Sequence, residues 1–293
     1  MPTRRPPQNL GASVRARLQA WATANGQGFD RVLTRYVLEG LLDRLSRTVH
    51  CNRFVLKGAM LVTAWTDKPY RPTRDLDLLG FGDPGSDALV HVFGEICSVA
   101  VDDAVDFDVP GISAETIRDA RAYGGIRIRT TATVDRAKTR VIVDVGFGDV
   151  VAPAILEMDL PVLLNRRVPR VRTYPPEAVI AEKFQAMVLL GRANSRMKDF
   201  YDIWYLARRP GYDASRLTQA IAATFSRRLT ALPIGVPDAL SAAFANDPLK
   251  REQWADFVRG VMDEPGSLPD VVAFLREFLM PHVNAARERR GGG

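Results

Sequence analysis

Over the first 175 positions apolar residues recur with both helical and strand periods, and from Pro176 onward the helical period stands almost alone. Val14, Leu18, Trp21 and Ala22 return at spacings of three and four, which predicts a first helix with Ser13 as its cap. From Asp30 to about Arg47 the stripe Leu33, Tyr36, Val37, Leu41 and Leu45 predicts a second helix that packs by one face. Phe54-Val-Leu56 reads as a short buried strand, Lys57-Gly58 as its turn, and the apolar run to about Trp65 as a helix. A proline-bearing loop from Asp67 to Arg74 leads into Asp75-Leu-Asp-Leu-Leu79, a strand that stops at Gly80-Phe-Gly82. Ser86 stands where it would cap an amphipathic helix reaching about Ala100.

Two β-rich runs follow. Ile126 to Val134 alternates Arg and Thr with apolar residues, the pattern of a strand with one wet face, whereas Arg140 to Val145 has the apolar centre of an internal strand. A short strand from Val168 ends at Tyr174 before Pro175-Pro176, and helical patterns occupy 177–190, 197–208, 214–226, 237–245, 249–262 and 268–279. The expected architecture is therefore α+β. A mixed-sheet domain with N-terminal helices spans 1–175, an all-helical domain spans 176–286, and 287–293, ending in three glycines, reads as a disordered tail.

Composition narrows the function classes. A chain of 293 residues, 46% apolar and 25% charged, is neither a disulfide scaffold nor a disordered polymer. No run of 18 uncharged apolar residues exists, and Met1-Pro-Thr-Arg-Arg-Pro-Pro is no secretory leader, so a cytoplasmic protein without membrane association is expected. Forty Lys and Arg against thirty-four Asp and Glu leave a net charge of +6, which favours polyanionic partners. Cys51 and Cys97 lack CxxC spacing and read as buried free thiols, and none of His50, His91 and His282 belongs to an HExxH motif. Gly146-Phe-Gly148 lacks the third glycine of a dinucleotide fingerprint, and neither GxxxxGK[ST] nor GxSxG occurs.

The chemistry-bearing residues are carboxylates. Asp75 and Asp77 project from one strand face about 7 Å apart. Such a pair repels itself unless a cation lies between, and magnesium, held by one or two carboxylates plus phosphate oxygens, is the natural resident. Asp144 interrupts the apolar Val141-Ile-Val-Asp-Val145 and has to be paired or functional. If its strand neighbours that of Asp75 and Asp77, the three could hold two metals for an in-line displacement. Gly58, at a strand-to-helix turn, would admit a phosphate to backbone N–H groups.

In the helical half, Glu182-Lys183 and Arg196-Met-Lys-Asp199-Phe-Tyr-Asp202 lie on consecutive helices. Helical rise places Lys183 within reach of Asp199, so Lys183 could offer charge to a triphosphate and Asp199 could orient an acceptor hydroxyl or a ribose. An isolated Asp-x-Asp is more often a solvated loop edge, and Glu182-Lys183 alone would read as a helix face. What changes the balance is their occurrence together and in this order. Arg166-Arg167, Arg208-Arg209 and Arg227-Arg228, with Arg170, Arg172 and Arg192, form a basic surface, of which Arg166 and Arg167 are the candidates to grip RNA phosphates. Tyr201, Trp204 and Tyr205 fit helical core spacing.

Taken together, Phe54-Val-Leu-Lys-Gly58, Thr73-Arg-Asp-Leu-Asp77, Val143-Asp-Val-Gly-Phe-Gly-Asp149, Glu182-Lys183 and Lys198-Asp-Phe-Tyr-Asp202 resemble the AbiEii/type IV toxin nucleotidyltransferases, MenT-like toxins of toxin–antitoxin systems, over about residues 30 to 208. The resemblance implies a DNA polymerase β-like nucleotidyltransferase fold with a helical C-terminal domain. It also implies Mg²⁺, an NTP, the 3′ acceptor end of tRNA as target, and control by an antitoxin. Carried onto this chain, Asp75, Asp77, Lys183 and Asp199 are catalytic, Asp75, Asp77 and Asp144 bind metal, and Lys57, Gly58, Arg74, Lys183 and Asp202 bind nucleotide. Asp199 and Asp202 both suit the last motif, Asp199 being nearer the helix start. Where the superfamily often has Gly-Ser, Ala59 follows Gly58, so a serine contact to phosphate is missing, and Lys57 or Arg74 is the candidate to replace it. The rival readings are a kinase-like transfer of phosphate to a protein or small molecule, and a catalytically silent RNA- or partner-binding module.

Overall fold

The computed structural model describes residues 9–65, 74–117, 124–209, 213–261 and 263–291. Thr73, most of the loop before it and the arm ahead of Asn9 lie outside these residues. The described chain begins with α1 (Leu10–Ala24), α2 (Phe29–Leu45), β1 (Phe54–Lys57), α3 (Gly58–Ala64), β2 (Leu76–Gly80) and α4 (Ser86–Cys97). Strands β3 (Asp106–Phe107), β4 (Ser113–Ile117), β5 (Gly125–Val134), β6 (Ala137–Phe147), β7 (Leu156–Asp159) and β8 (Arg170–Thr173) follow. Helices α5 (Pro176–Leu190), α6 (Met197–Ala207), α7 (Ala214–Arg227), α8 (Ala242–Ala245), α9 (Pro248–Val258) and α10 (Leu268–Gly291) complete it. Among the described residues no helix is long and apolar enough to cross a membrane.

Those residues fall into two compact units. One holds the described parts of Met1–Trp65, Pro72–Gly148 and Glu157–Thr173, the other those of Asp149–Leu156 and Tyr174–Gly293. The first unit is built on one mixed sheet in the order β3-β5-β6-β2-β1-β8-β7, with β4 also paired to β5. Its two longest strands, β5 and β6, form an antiparallel hairpin closed by the two-residue turn Asp135-Arg136 with Asp135 at φ +55°. Strand β2 runs parallel to β6 and antiparallel to β1. Buried Val141, Val143 and Val145 alternate along β6 with half-buried Ile142 and Asp144, and α2 packs on this strand, the Thr34 hydroxyl lying 2.9 Å from that of Thr139. In the second unit α5, α6, α7 and α10 pack around Phe184, Phe200, Phe225 and Leu275, with Phe200 stacked on Phe244 at 5.3 Å.

Several local expectations are corrected. Ser13 is not a cap: the side chain of Asn9 accepts from the Ala12 N–H at 3.0 Å, one turn earlier. Ser86 is the first residue of α4 behind Gly85, and that helix ends at Cys97. The pattern at 237–245 breaks in two because Ser241 adopts an extended backbone and caps α8 instead of continuing a helix. Residues 287–291, expected as tail, are the last turn of α10, where Arg and Glu are good helix formers and the basic charge suits a helix C-terminus. Strands β3, β4 and β7 escaped the sequence reading because they are short and mostly exposed.

The basic pair Arg166-Arg167 is likewise engaged by α2, although Arg167 stays exposed. The Arg166 guanidinium stacks 3.8 Å from the Tyr36 ring centroid and donates to Glu39 at 2.8 Å, while Arg167 pairs with Asp43. Both anchor the segment before β8 to α2. The same helix sends Arg44 bidentately to Asp103 at 2.7 and 3.0 Å, with further bonds to the carbonyls of Gly40 and Val105. Arg44 and Asp103 are buried, so their charges persist chiefly through each other, with the Val105 N–H also donating to Asp103 at 3.0 Å.

Removing one partner leaves a desolvated charge behind. Asp103→Ala is expected to cost roughly 3–5 kcal/mol in urea unfolding. Arg15→Ala, which breaks a half-exposed bridge to Asp135, should cost no more than about 1 kcal/mol. Equal effects from the two would show that the buried pair contributes nothing special.

Candidate active site

The pairing register lines up charged residues across the first unit. Glu115 lies opposite Arg127, Arg127 opposite Asp144, Asp144 opposite Asp77, and Asp77 opposite Lys57. Directly opposed residues share a sheet face, so five strands contribute one row with the signs minus, plus, minus, minus, plus. The condition set by the sequence, that the Asp144 strand neighbour that of Asp77, is met in register. Asp75 precedes the first residue of β2 and is half-buried, as are Asp77, Asp144 and Lys57. Arg74 stands exposed just before it.

Two glycines make the room this row needs. At Gly58 the backbone takes φ +73°, and a Cβ there would lie 1.9 Å from Oδ2 of Asp77. The Asp77 carboxylate is thus packed on the bare Cα at the start of α3. Gly146, two residues beyond Asp144 on the same face, would bring a Cβ to 3.5 Å from the Lys57 ammonium, which leans across β2 towards β6. Asp144 accepts from Arg127 Nε on one oxygen and from a terminal nitrogen on the other, both at 2.7 Å. That bond, ahead of opposing desolvation and the nearby Glu115 and Asp75, raises the Arg127 pKa above its already high value.

Among the described residues no cluster of three or more His, Cys, Asp and Glu side chains converges as a metal cage. What the row offers is a pair of carboxylates at one strand start and a third engaged by arginine. That donor set matches a hard cation taking one or two carboxylates plus phosphate oxygens, and does not match a zinc site. Cys97, free and buried, has its thiol pushed up to about 12 by burial, which removes it as a nucleophile.

The helical unit contains the other group. Lys183 on α5 reaches Asp199 Oδ1 at 2.8 Å and Asp202 Oδ2 at 2.7 Å, both on α6. Both candidate aspartates thus share the one lysine. Both are fully buried, and Arg196 adds a second cation to Asp199 at 2.9 Å. Arg228, read from sequence as surface, is a second internal clamp: it holds Asp149 through two bonds at 3.2 and 3.0 Å and stands 3.2 Å from Glu182. Burial opposes its charge, but Glu182 and Asp149 outweigh that and raise its pKa. Close by, burial, then Glu182 and Asp149, push the Tyr174 hydroxyl upward. Tyr201 and Trp204 are core as expected, although Trp204 and half-buried Tyr205 also edge a 720 Å³ cavity with Arg208 and Arg209.

Arg127 was passed over in the sequence, and Arg228 was read only as part of a basic surface. For Arg127 a signal existed: counting back from the two-residue turn after Val134 puts it opposite Asp144. Nothing local marks Arg228, whose partners lie 46 and 79 positions away in the chain.

Two outcomes check this geometry. Gly58→Ala should destabilise the protein by at least about 1 kcal/mol, since alanine is strained at that φ and its methyl collides with Asp77. Adding Asp77→Gly should recover part of the loss in thermal melts, and no recovery would mean that the close approach is not what demands glycine. Lys183→Met, by leaving Asp199 and Asp202 buried without their lysine, should cost roughly 3–5 kcal/mol in urea unfolding, a loss that Lys183→Arg largely avoids.

Comparison with known proteins agrees with this arrangement at the level of fold. The Helicobacter pylori protein JHP933 superimposes with a TM-score of 0.50 at 12% identity, over 89% of this chain and 95% of its own. A second H. pylori structure, carrying the name of a nucleotidyltransferase, aligns at 0.49 and 13% identity, over 88% and 96%. No curated protein matches by sequence. The nucleotidyl transferase AbiEii toxin family of type IV toxin–antitoxin systems matches residues 40–277, so the charged row on β1, β2, β5 and β6 and the Lys183 cluster both lie within the matched region, and the chain belongs to that family.

Proposed function

We propose that the protein transfers a nucleotide from an NTP to the 3′ end of an RNA, the tRNA acceptor stem, and so blocks aminoacylation and translation until a cognate antitoxin restrains it. The observation that carries the reading is Asp77, held against Gly58 and flanked in register by Lys57 and Asp144. Carboxylates concentrated beside an ammonium, with a bare backbone at a helix start, suit a metal-bound triphosphate better than an organic substrate. In the reaction the 3′ hydroxyl gives its proton to water, its oxygen bonds to the α-phosphorus, the bond from that phosphorus to the oxygen bridging to the β-phosphate breaks, and pyrophosphate leaves.

Asp75 and Asp77 are the residues that would hold Mg²⁺, which when bound supplies charge neutralisation to the phosphates. Lys57 adds a point charge on the same face. Lys183 and Asp199 are the helical unit's candidates, for triphosphate charge and for orienting the nucleotide or acceptor, with Asp202 sharing the lysine. With Arg166 committed to Tyr36 and Glu39, Arg167, exposed beside Asp43, and the other exposed arginines are the residues left to meet RNA phosphates.

The test incubates the protein with Mg²⁺, total RNA and protein, and each NTP labelled at either the α or the γ position. Label entering RNA from the α position alone is the expected result, with Asp77→Asn reducing it at least ~100-fold while the melting temperature stays close to wild type. Label entering protein or a small molecule from the γ position would replace this reading by a kinase. Incorporation into neither, with binding of RNA retained, would identify a silent binding module.

A further inference from the structure

We propose that Arg127 is a positioning residue that withholds Asp144 from the metal and thereby ties metal loading to arrival of the nucleotide; the inference rests on the metal-dependent reading above. Asp77 and Asp144 are register partners on parallel strands, so their carboxylates leave the sheet side by side on one face. Two like charges so placed repel, and each strand has a further neighbour that can answer the repulsion. On the β1 side Lys57 lies opposite Asp77, and on the β5 side Arg127 lies opposite Asp144.

The two answers differ in kind. Lys57 is a point charge on a flexible stem, whereas Arg127 meets Asp144 fork to fork, one nitrogen on each oxygen at 2.7 Å. The bidentate pair fixes the plane of the carboxylate and engages both of its oxygens. Arg127 also acts on Asp75 through space, so one guanidinium touches the charge of two of the three candidate ligands.

The charge count gives the consequence. Asp75, Asp77, Asp144 and Glu115 together carry four negative charges, and Arg127, Lys57 and Arg129, which pairs with Glu115, return three positive ones. A divalent cation approaching by itself meets a nearly neutral row and a fixed guanidinium that repels it. A cation that arrives on a triphosphate brings its own negative charge and needs little more than Asp75 and Asp77 to dock. The protein therefore takes up the metal–nucleotide complex in preference to the bare ion, and Arg127 sets that preference through Asp144.

Direct Mn²⁺ binding, read as the loss of the free-ion electron paramagnetic resonance signal, tests this on the full chain without recourse to turnover. Arg127→Gln should bind Mn²⁺ alone at least about tenfold tighter than wild type, a change of about 1.4 kcal/mol. Adding Asp144→Asn to that variant should abolish the gain, because the freed carboxylate is what the ion would use. Arg127→Gln with native circular dichroism and no tighter Mn²⁺ binding overturns the proposal, as does a gain that survives Asp144→Asn. Should Arg127→Gln fail to fold, Asp77→Asn and Asp144→Asn are compared singly. A withheld Asp144 makes the Asp77 change cost at least about tenfold more Mn²⁺ affinity, and equal losses overturn it. Wild-type protein that binds no Mn²⁺ even with NTP present defeats the metal reading itself and the proposal with it, an outcome distinct from failure of Arg127→Gln alone.

Discussion

The close approach of the Asp77 carboxylate to the bare Cα of Gly58 is the constraint on which the charged row of the first unit depends. It requires a residue without a side chain at a positive φ, directly after an internal strand and at the start of a helix. Once that position is granted, Asp77 can lie flat in the row, Lys57 can lean over Gly146, and Asp144 can stand in register without collision. A larger residue at 58 would push the carboxylate away from the position it shares with its neighbours. The sheet order follows the same need, since only the insertion of β2 between β1 and β6 sets a lysine on one side of Asp77 and an aspartate on the other.

Charge balance in the interior follows a common rule in both units: an acid that leaves water keeps a basic partner with defined geometry. Arg44 and Asp103 satisfy each other under α2, and Arg228 stands between Asp149 and Glu182. Lys183 is shared by Asp199 and Asp202. Such pairs add little net stability compared with apolar packing, but they penalise every arrangement in which one partner is left behind. At the surface too, several of the suspected arginines hold partners while staying exposed. Arg166 and Arg167 are held by α2, Arg170 by Glu157, Arg172 by the Asn52 carbonyl and the Phe81 ring.

Much of this was legible in the residues. Period-two and period-3.6 patterns separated strand from helix, Gly58 and the Asp-x-Asp marked a strand start with chemistry, and a lone aspartate in an apolar strand announced a paired or working group. The spacing of Lys183 and Asp199 on consecutive helices already implied their contact. These features are local, or follow from a single short connection, and local physics determines them.

Tertiary structure decided what local physics leaves open. Helical rise allowed either Asp199 or Asp202, and only the packing of α5 on α6 showed that one ammonium meets both. Composition could count arginines but not commit them, because a guanidinium finds its carboxylate through chain segments tens of residues apart: Arg166 reached Glu39, Arg228 reached Asp149, and Arg127 reached Asp144 across a strand pair. Short exposed strands and the split at Ser241 were hidden for the related reason that their partners, not their own side chains, define them. The sequence by itself determined which residues carry charge and which face of each element is apolar. Which charges neutralise one another depended on register and packing, because Coulombic and hydrogen-bonded pairing is set by distance in space and not by position in the chain.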